Sequence, residues 1–435
     1  MRIPYVASFM LLAACSSMPG SGGSTGGMGG SGGGSGDDWP TISGHRDPVV
    51  MTSMCAPADI KWGTPQKTDL QGGYFKSMAG FDFNGDGKAD LAVLQEKGVE
   101  ILISKGDGTF TSTFHAITNL TGNGLTTGDF TGTGFGDVIT HGFTGESGGG
   151  ADRQIALLLG KGDGTFYTEY LPSTSNTVWK MMGVDVNADN KLDMVFDDGE
   201  ASNGLPGAMI NPGNGKLGTP GPFPVMSDPS NRWTMGDLNG DKASDIVVVN
   251  PNHAFVDTCV IVNNKSAGFT ASPVCYPALP SAGGDSVLFA TADFNNDGKV
   301  DVFRADPFPS LDQANNVGIY LGKGDGTLGD PQGLYIPPPH GFLGVAASDV
   351  NNDGKLDILL NTGDGSDTYV YILLGNGDGT LAAPQQFMWG SYQSGSQQDP
   401  VVADFAGNGL RGVAVLHTNL SGGPDGIDVI LAGCM

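Results

Sequence analysis

Short apolar stretches alternate with polar, glycine-rich segments along residues 56–435. An apolar stretch such as Trp233–Gly236 leads into an Asp-rich segment, and a second apolar stretch, Asp245–Val249, follows it. A third stretch, at residues 371–374 in a later example, ends in a glycine-rich turn, and a fourth begins at Leu381. Such stretches joined by Asp-Gly turns predict antiparallel strands connected by hairpins, and no helical period follows the N-terminal segment. The pattern therefore predicts an all-β fold.

The Asp-rich segment recurs seven times, at intervals of 47 to 56 residues. Its successive copies begin at Asp82, Asp129, Asp185, Asp237, Asp293, Asp349 and Asp404. A period in this range is typical of stacked or radial repeats. Four antiparallel strands in each of seven periods predict a seven-bladed β-propeller. A solenoid is the structural alternative, but its rungs are usually shorter and its terminal repeats capped.

The last period lacks its outermost strand, because the chain ends soon after residues 430–433. A matching segment stands near the other end, where residues 62–66 resemble residues 379–385. We predict that this N-terminal strand completes the last blade, so that the ring leaves no open sheet edge.

Composition and charge agree with this architecture and exclude one class of partner. Glycine accounts for 72 of 435 residues and charged residues for 15%, which suits many short strands joined by turns. The formal net charge of −25 argues against nucleic acid, whose phosphates need Lys and Arg. We expect a monomer that binds no nucleic acid.

The Asp-rich segment has the chemistry of a calcium loop. Asp82, Asn84 and Asp86 occupy alternate positions, Gly87 permits a sharp turn, and Asp90 closes the loop. Ca²⁺ takes six to eight oxygen ligands at about 2.3–2.6 Å, including a main-chain carbonyl at the seventh loop position. The closing carboxylate stands at position nine rather than twelve, so the loop is not an EF-hand.

The repeats, of the form GDxNxDGxxDLxV followed by xLLGNGDGTF, resemble FG-GAP or VCBS repeats of the integrin α-subunit propeller type over roughly residues 60–433. The resemblance implies Ca²⁺ in the loops. Members of this group include adhesion receptors, sugar-binding lectins and carbohydrate-active enzymes that carry the repeats as a module. The resemblance thus implies a fold without fixing a function.

Five loops keep every ligand position that the resemblance implies, which predicts about five Ca²⁺ ions. Their residues at positions one, three, five, seven and nine are Asp82, Asn84, Asp86, Lys88 and Asp90; Asp185, Asn187, Asp189, Lys191 and Asp193; Asp237, Asn239, Asp241, Ala243 and Asp245; Asp293, Asn295, Asp297, Lys299 and Asp301; and Asp349, Asn351, Asp353, Lys355 and Asp357. Asn190 and Lys242 stand where Gly is usual. The loop at Asp129 keeps Asp137 but offers the hydroxyls of Thr131 and Thr133 in place of an amide and a carboxylate, so it is not counted among the five. The loop at Asp404 ends at Gly412, and we expect it to hold no ion.

The first 55 residues carry the signals of export and anchoring. Residues 1–14 read as a secretory signal, and the sequence Leu-Ala-Ala before Cys15 resembles a bacterial lipobox. The resemblance implies that Cys15 is lipidated and anchors the protein at the outer membrane or cell surface; the alternative is an ordinary signal with a chance cysteine. Residues 15–55 are rich in Gly and Ser and predict a flexible tether.

The other four cysteines allow three pairings. Cys259 and Cys275 flank a predicted turn at residues 263–268 and would face each other across one hairpin. The remaining pair, Cys55 and Cys434, would then join the two ends of the propeller. The competing pairings would have to span the disc, beyond the ~7 Å Cα limit of a disulfide.

The sequence favours a non-catalytic binding or adhesion module for a protein or carbohydrate ligand. The six histidines accompany no recognised catalytic motif. The variable face opposite the calcium loops carries His340, Phe342, Trp389 and Tyr392, which are candidate ligand-binding residues. The alternatives are a lectin and, from a different class, a polysaccharide lyase or hydrolase. For Trp233, burial between blades is the competing interpretation.

Overall fold

The computed structural model describes residues 60–71, 75–117, 121–143, 153–171, 180–196, 207–213, 217–218, 221–222, 233–249, 257–265, 269, 272–279, 287–306, 315–336, 341–363, 368–390, 399–417 and 425–434. These residues form thirty strands, named β1 to β30 in chain order. Within the same ranges, no helix has the length and apolar character needed to cross a membrane.

The strands make seven four-stranded antiparallel sheets, which are the blades. Blade 1 contains β3 (Phe75–Phe81), β4 (Asp90–Gln95), β5 (Gly98–Ser104) and β6 (Phe110–Ala116); blade 2, β7 (Thr121–Gly128), β8 (Asp137–Phe143), β9 (Arg153–Gly160) and β10 (Phe166–Leu171); blade 3, β11 (Met181–Val184), β12 (Asp193–Phe196), β13 (Gly207–Met209) and β14 (Gly221–Pro222). Blade 4 contains β15 (Trp233–Gly236), β16 (Asp245–Val249), β17 (Thr258–Ile261) and β18 (Val274–Tyr276); blade 5, β19 (Leu288–Ala292), β20 (Asp301–Ala305), β21 (Val317–Tyr320) and β22 (Gln332–Leu334); blade 6, β23 (Phe342–Ser348), β24 (Asp357–Gly363), β25 (Thr368–Leu373) and β26 (Gln385–Gly390). Blade 7 contains β27 (Val401–Ala403), β28 (Gly412–His417), β29 (Gly426–Ile430) and, from the other end of the chain, β2 (Gln66–Asp69).

Blade 7 closes the ring as the sequence predicts. Strand β2 pairs antiparallel with β29, from Gln66 opposite Val429 to Asp69 opposite Gly426. A second pair of strands, β1 (Ile60–Trp62) and β30 (Ala432–Cys434), extends the contact between the two ends. The seven-bladed all-β architecture and the N-terminal closure are both confirmed.

The hydrophobic core lies between the blades and around the inner strands. The innermost strand β15 is buried along its whole length, whereas the outermost strand β6 is buried only at Phe110 and is half-buried or exposed beyond it. Hydroxyl groups tie neighbouring inner strands together, since the Thr127 Oγ1 donates to the Gly80 carbonyl at 3.1 Å and the Thr291 Oγ1 donates to the Met235 carbonyl at 2.8 Å. Each blade therefore buries its apolar faces against its two neighbours.

The predicted hairpin disulfide is present. Cys259 in β17 pairs with Cys275 in β18, and the two residues stand directly opposite each other in the strand register. Cys55 lies outside the described residues, so its bridge to Cys434 stays a prediction. The backbone of Cys434 pairs with Ile60, five residues after Cys55.

Candidate cation loops and the face around them

The seven Asp-rich loops form one face of the propeller, because neighbouring loops and turns are hydrogen-bonded to each other. The amide of Ala89 donates to the carbonyl of Asp404 at 2.8 Å, which joins the first and last loops. The amide of Ser244 likewise donates to the carbonyl of Asp185 at 3.0 Å. Backbone hydrogen bonds thus link neighbouring loops at these two points of the disc.

The first aspartate of each loop organises the turn. Asp82 Oδ1 accepts a hydrogen bond from the amide of Gly85 at 2.7 Å, and its Oδ2 accepts one from the amide of Gly87 at 2.9 Å. Asp293 and Asp349 accept the equivalent bonds from the sixth-position amides at 2.7 and 2.8 Å. Several amides converge on one carboxylate, so this side chain fixes the loop before any ligand arrives.

The ninth-position aspartate is buried beneath the loop. Asp90 accepts one hydrogen bond from the amide of Phe83 at 2.9 Å and another from the amide of Ser104 at 2.8 Å, and it is fully buried. Burial raises the pKa of Asp90 to about 7; the hydrogen bonds from Ser104 and Phe83 act in the opposite direction, and the nearby carboxylates of Asp82 and Asp86 contribute to the rise.

The same burial acts on the equivalent carboxylates of the other loops. Burial raises the pKa of Asp245, Asp301 and Asp357 to about 7 and that of Asp193 and Asp137 to about 6. A nearby cation would relieve this unfavourable concentration of negative charge.

Positions five and seven are ion-paired in four of the five complete loops. The Lys88 Nζ lies 2.7 Å from an Asp86 carboxylate oxygen. The corresponding distances are 3.1 Å for Lys191 with Asp189, 3.2 Å for Lys299 with Asp297 and 3.9 Å for Lys355 with Asp353. Burial alone would raise the pKa of Asp86, but the hydrogen bonds from Lys88 outweigh it and lower that pKa. The lysine therefore supplies part of the positive charge that the loop needs.

The donor chemistry of these loops fits Ca²⁺. Each complete loop brings three carboxylates and an amide oxygen together within nine residues, and all the donors are hard oxygens. In this conformation the carboxylates are directed at amides and lysines, and no group of three or more His, Cys, Asp or Glu side chains converges as a metal site in the described ranges. An ion would therefore be held by side chains that already have other hydrogen-bond partners.

The sixth position of the loop has a left-handed backbone conformation. The sixth residue is Gly87 in the first loop, with φ of 81°, and its counterparts Asn190 and Lys242 have φ of 61° and 75°. These values lie in the left-handed region, which Asn tolerates and Lys does not favour. The loop geometry thus overrides the residue preference at Lys242.

The two incomplete loops hold their shape differently. In the loop at Asp129, the Thr131 Oγ1 donates to Asp137 at 3.0 Å and lies 3.0 Å from the Thr133 Oγ1. Hydroxyls therefore take the place of the missing amide and carboxylate. In the loop at Asp404, the only acidic ligand position is Asp404 itself, which accepts from the amide of Gly409 at 2.7 Å.

Of the four predicted ligand-face residues, Phe342 and Trp389 lie in the part of the chain that the structure describes. Phe342 is fully buried in β23, so the prediction that it lines a ligand face is wrong; it fills the space between blades. Trp389 lies in β26, while His340 and Tyr392 fall outside the described residues. Trp233 is buried, in agreement with the inter-blade interpretation.

A buried polar cluster near the start of the inner strands was not predicted from the sequence. The Lys180 Nζ donates to the carbonyl of Trp233 and lies 4.5 Å from the centre of that indole ring. Asp399 accepts from the amide of Val345 at 2.8 Å, and burial raises the pKa of Asp399 to about 8, with Lys180 acting in the opposite direction. Both charged residues stand five positions before the first aspartate of a loop, where most other blades have uncharged residues. That offset is the sequence signal for the cluster.

Comparison with known proteins assigns the family. The FG-GAP-like repeat profile matches residues 82–140, 237–304, 293–360 and 349–415, which together make up more than half of the chain. The chain belongs to the FG-GAP-like repeat family. No curated protein matches the chain as a sequence relative.

Solved structures of similar fold come from several kinds of protein. A lectin of Agrocybe aegerita that recognises non-reducing terminal N-acetylglucosamine superposes with a TM-score of 0.50 at 17% identity, covering 72% of this chain and 80% of the lectin chain. Rhamnogalacturonan lyase YesW gives a TM-score of 0.46 at 12% identity, and a rhamnogalacturonan lyase of Bacillus licheniformis gives 0.45 at 12%. In both cases the match covers 84% of this chain and 75% of the other. At these identities the likeness concerns the fold alone.

Proposed function

We propose that this protein is a calcium-stabilised, non-catalytic binding or adhesion module for protein or glycan ligands. The observation that carries the proposal is how the complete loops use their carboxylates. In the first loop, Asp82 and Asp90 each accept hydrogen bonds from backbone amides of their own blade. An ion bound there would serve the scaffold, and ligand recognition is left to side chains elsewhere on the surface.

Calcium would act by neutralising a crowded set of carboxylates. The side-chain oxygens of positions one, three, five and nine, with the carbonyl of position seven, are the groups that would hold the ion. Bound Ca²⁺ supplies positive charge and fixed coordination distances to the loop. Because the folded chain alone presents this arrangement, binding would stabilise the fold by mass action.

The proposal includes a membrane anchor at Cys15, which precedes the described residues. Two or more acyl chains give stable attachment where one would be marginal. Cys15→Ala should release the exported protein from the membrane fraction. If the variant still sediments with membranes, the anchor proposal is wrong.

Glycan binding is the more specific form of the proposal, and the lectin of similar fold supports it only at the level of architecture. An array of glycans and extracellular proteins, probed in calcium and again in excess EDTA, tests the proposal. Binding that is lost with EDTA supports a calcium-stabilised module. Shortened products from a polysaccharide would identify an enzyme instead, and the absence of any binding in calcium would contradict the proposal.

A further inference from the structure

Blade 2 exposes more large apolar side chains than any other described part of the surface. Five such residues are exposed in the described ranges: Phe135, Tyr167, Tyr170, Ile210 and Val274. The three aromatic ones all belong to blade 2, and Tyr167 has 63% of its surface exposed. This is also the blade whose loop departs from the calcium pattern at Thr131 and Thr133.

Phe135 occupies a position that four other blades fill with a lysine. It is the seventh residue of its loop, where Lys88, Lys191, Lys299 and Lys355 stand in four complete loops. The seventh side chain lies over the glycine-rich turn of its own blade. A Cβ added at Gly324 would come within 2.9 Å of Lys299, and one added at Gly162 would come within 2.3 Å of the Phe135 ring. In blade 2, Thr133 and the exposed ring of Phe135 therefore stand where those four loops have an Asp–Lys pair.

Tyr167 follows the same turn, as the second residue of β10. The Lys161 Nζ stands 4.0 Å from the centre of the Tyr167 ring, a cation–π contact that orients the phenol. The turn that contacts Phe135 and carries Lys161 is rigid, since the Lys161 amide donates to the Thr165 carbonyl at 3.0 Å and Asp163 Oδ1 accepts from the Thr165 amide at 2.9 Å. Phe135, Lys161 and Tyr167, which we name the blade-2 patch, are thus held on a fixed support.

We infer that the blade-2 patch binds an uncharged saccharide, with the C–H face of a pyranose ring against the aromatic side chains. This inference rests on the proposed binding function and names its ligand class. Aromatic side chains supply rigid contact area at low entropic cost. The same turn and strand expose the polar side chains of Asp163, Thr168 and Glu169, which suit the hydroxyl groups of a sugar.

The surroundings of the patch argue against the other occupants. A stable protein partner needs about 800 Å² of contact on each side with an apolar centre, and here charged and hydroxyl residues interrupt the aromatic ones. An anionic polysaccharide would meet one cation, Lys161, but two carboxylates, Asp163 and Glu169, and a net charge of −25. A neutral sugar is subject to neither penalty.

Three neutral probes test the inference: hexamers of β-1,4-linked glucose, mannose and N-acetylglucosamine, titrated into the calcium-loaded full chain by calorimetry and ligand-observed NMR. The test variant is Phe135→Lys with Tyr167→Ala, which gives blade 2 the residue of the other loops. The matched control is Tyr170→Ala, which removes an exposed aromatic residue of the same strand away from the turn. Tyr167→Ser alone is a second, smaller change at an exposed position.

We expect the unmodified protein to bind at least one hexamer, the double variant to bind it at least tenfold more weakly, and Tyr170→Ala to stay within twofold. Tyr167→Ser should weaken binding at least threefold. Unchanged affinity in the double variant overturns the patch as the binding site while leaving a glycan-binding module in place. If none of the three hexamers binds the unmodified protein, the saccharide assignment is overturned. The proposed binding function is then tested separately by the extracellular proteins of the array described above.

Discussion

At the scale of single residues, one loop imposes a backbone conformation that its residue, Lys242, disfavours. Lys242 has φ of 75° at a loop position where most of the other loops have Gly. A non-glycine residue in the left-handed region costs roughly 1–2 kcal/mol, and the extra chain entropy of Gly offsets about 0.5–1 kcal/mol of that cost. Lys242→Gly should therefore raise the free energy of unfolding by about 0.5–1 kcal/mol.

Denaturant titration at fixed calcium measures this effect. Lys323→Gly is the matched control, because Lys323 lies in a turn of the same face but has no positive φ. The control should lose stability through chain entropy alone. A loss of stability in Lys242→Gly as well would show that the strain is not relieved.

Asp399 predicts a pH dependence of stability. Its pKa is raised from 3.8 to about 8 by burial, so the folded state keeps its proton where the unfolded state has lost it. The stabilisation from this proton is complete below pH 4 and declines as the pH rises towards 8. Asp399→Asn removes the titrating group.

Unfolding free energies measured at several pH values between 4 and 9 test this prediction. As the pH rises, the free energy of unfolding of the unmodified protein should fall steadily relative to that of Asp399→Asn. Because the loop carboxylates are common to both proteins, their titration cancels. A difference that stays constant with pH would show that Asp399 does not titrate in this range.

At the scale of elements, the closure of blade 7 is the connection most open to disruption. Strand β2 joins its blade only through the pairing with β29, whereas β6 is covalently linked to β5 by a short turn. Thr68 in β2 and Thr113 in β6 both stand opposite an isoleucine in the neighbouring strand. A proline at either position removes an amide donor from an outer strand.

We expect Thr68→Pro to lower the free energy of unfolding by about 1 kcal/mol more than Thr113→Pro, of the order of one lost hydrogen bond. It should also aggregate sooner on heating, because release of β2 exposes the edge of β29. Thermal unfolding followed by circular dichroism and light scattering compares the two variants. Equal losses in both would mean that the closure is no weaker than an ordinary blade.

The elements were predictable from the sequence because the repeat fixes their number and order. The match between residues 62–66 and 379–385 indicated the closing strand, and the symmetric placement of Cys259 and Cys275 indicated their bridge. The prediction for Phe342 was wrong because the sequence pattern is the same for an aromatic residue at the start of a strand whether its side chain faces solvent or a neighbouring blade. The exposed ring of Phe135 could have been recognised only by aligning the seventh position of all the loops.

At the scale of the whole molecule, calcium should couple the blades. Backbone hydrogen bonds join some neighbouring loops directly, and five complete sites predict about five ions per chain. Calcium sites of extracellular modules bind with Kd of roughly 10⁻⁴–10⁻³ M; if these loops belong to that class, millimolar calcium should raise the melting temperature and excess EDTA should lower it.

Differential scanning calorimetry in calcium, in EDTA and in EDTA followed by excess calcium measures the effect, and metal analysis counts the ions. Magnesium at the same ionic strength is the control, since it demands a tighter octahedral arrangement. A melting temperature that is the same in EDTA and in calcium would contradict calcium stabilisation.

The pairing of β1 and β2 with strands from the other end of the chain has a mechanical consequence. Strands β1 and β2 are the first two strands in the chain. Tension applied to the chain ahead of Ile60 is therefore carried first by their contacts with β30 and β29. If the protein is held by its N-terminal segment and loaded through a ligand on another blade, blade 7 bears the full force. A bond between the two ends, such as the predicted bridge from Cys55 to Cys434, would pass that force to the covalent backbone at residue 434 and protect the ring from opening under load.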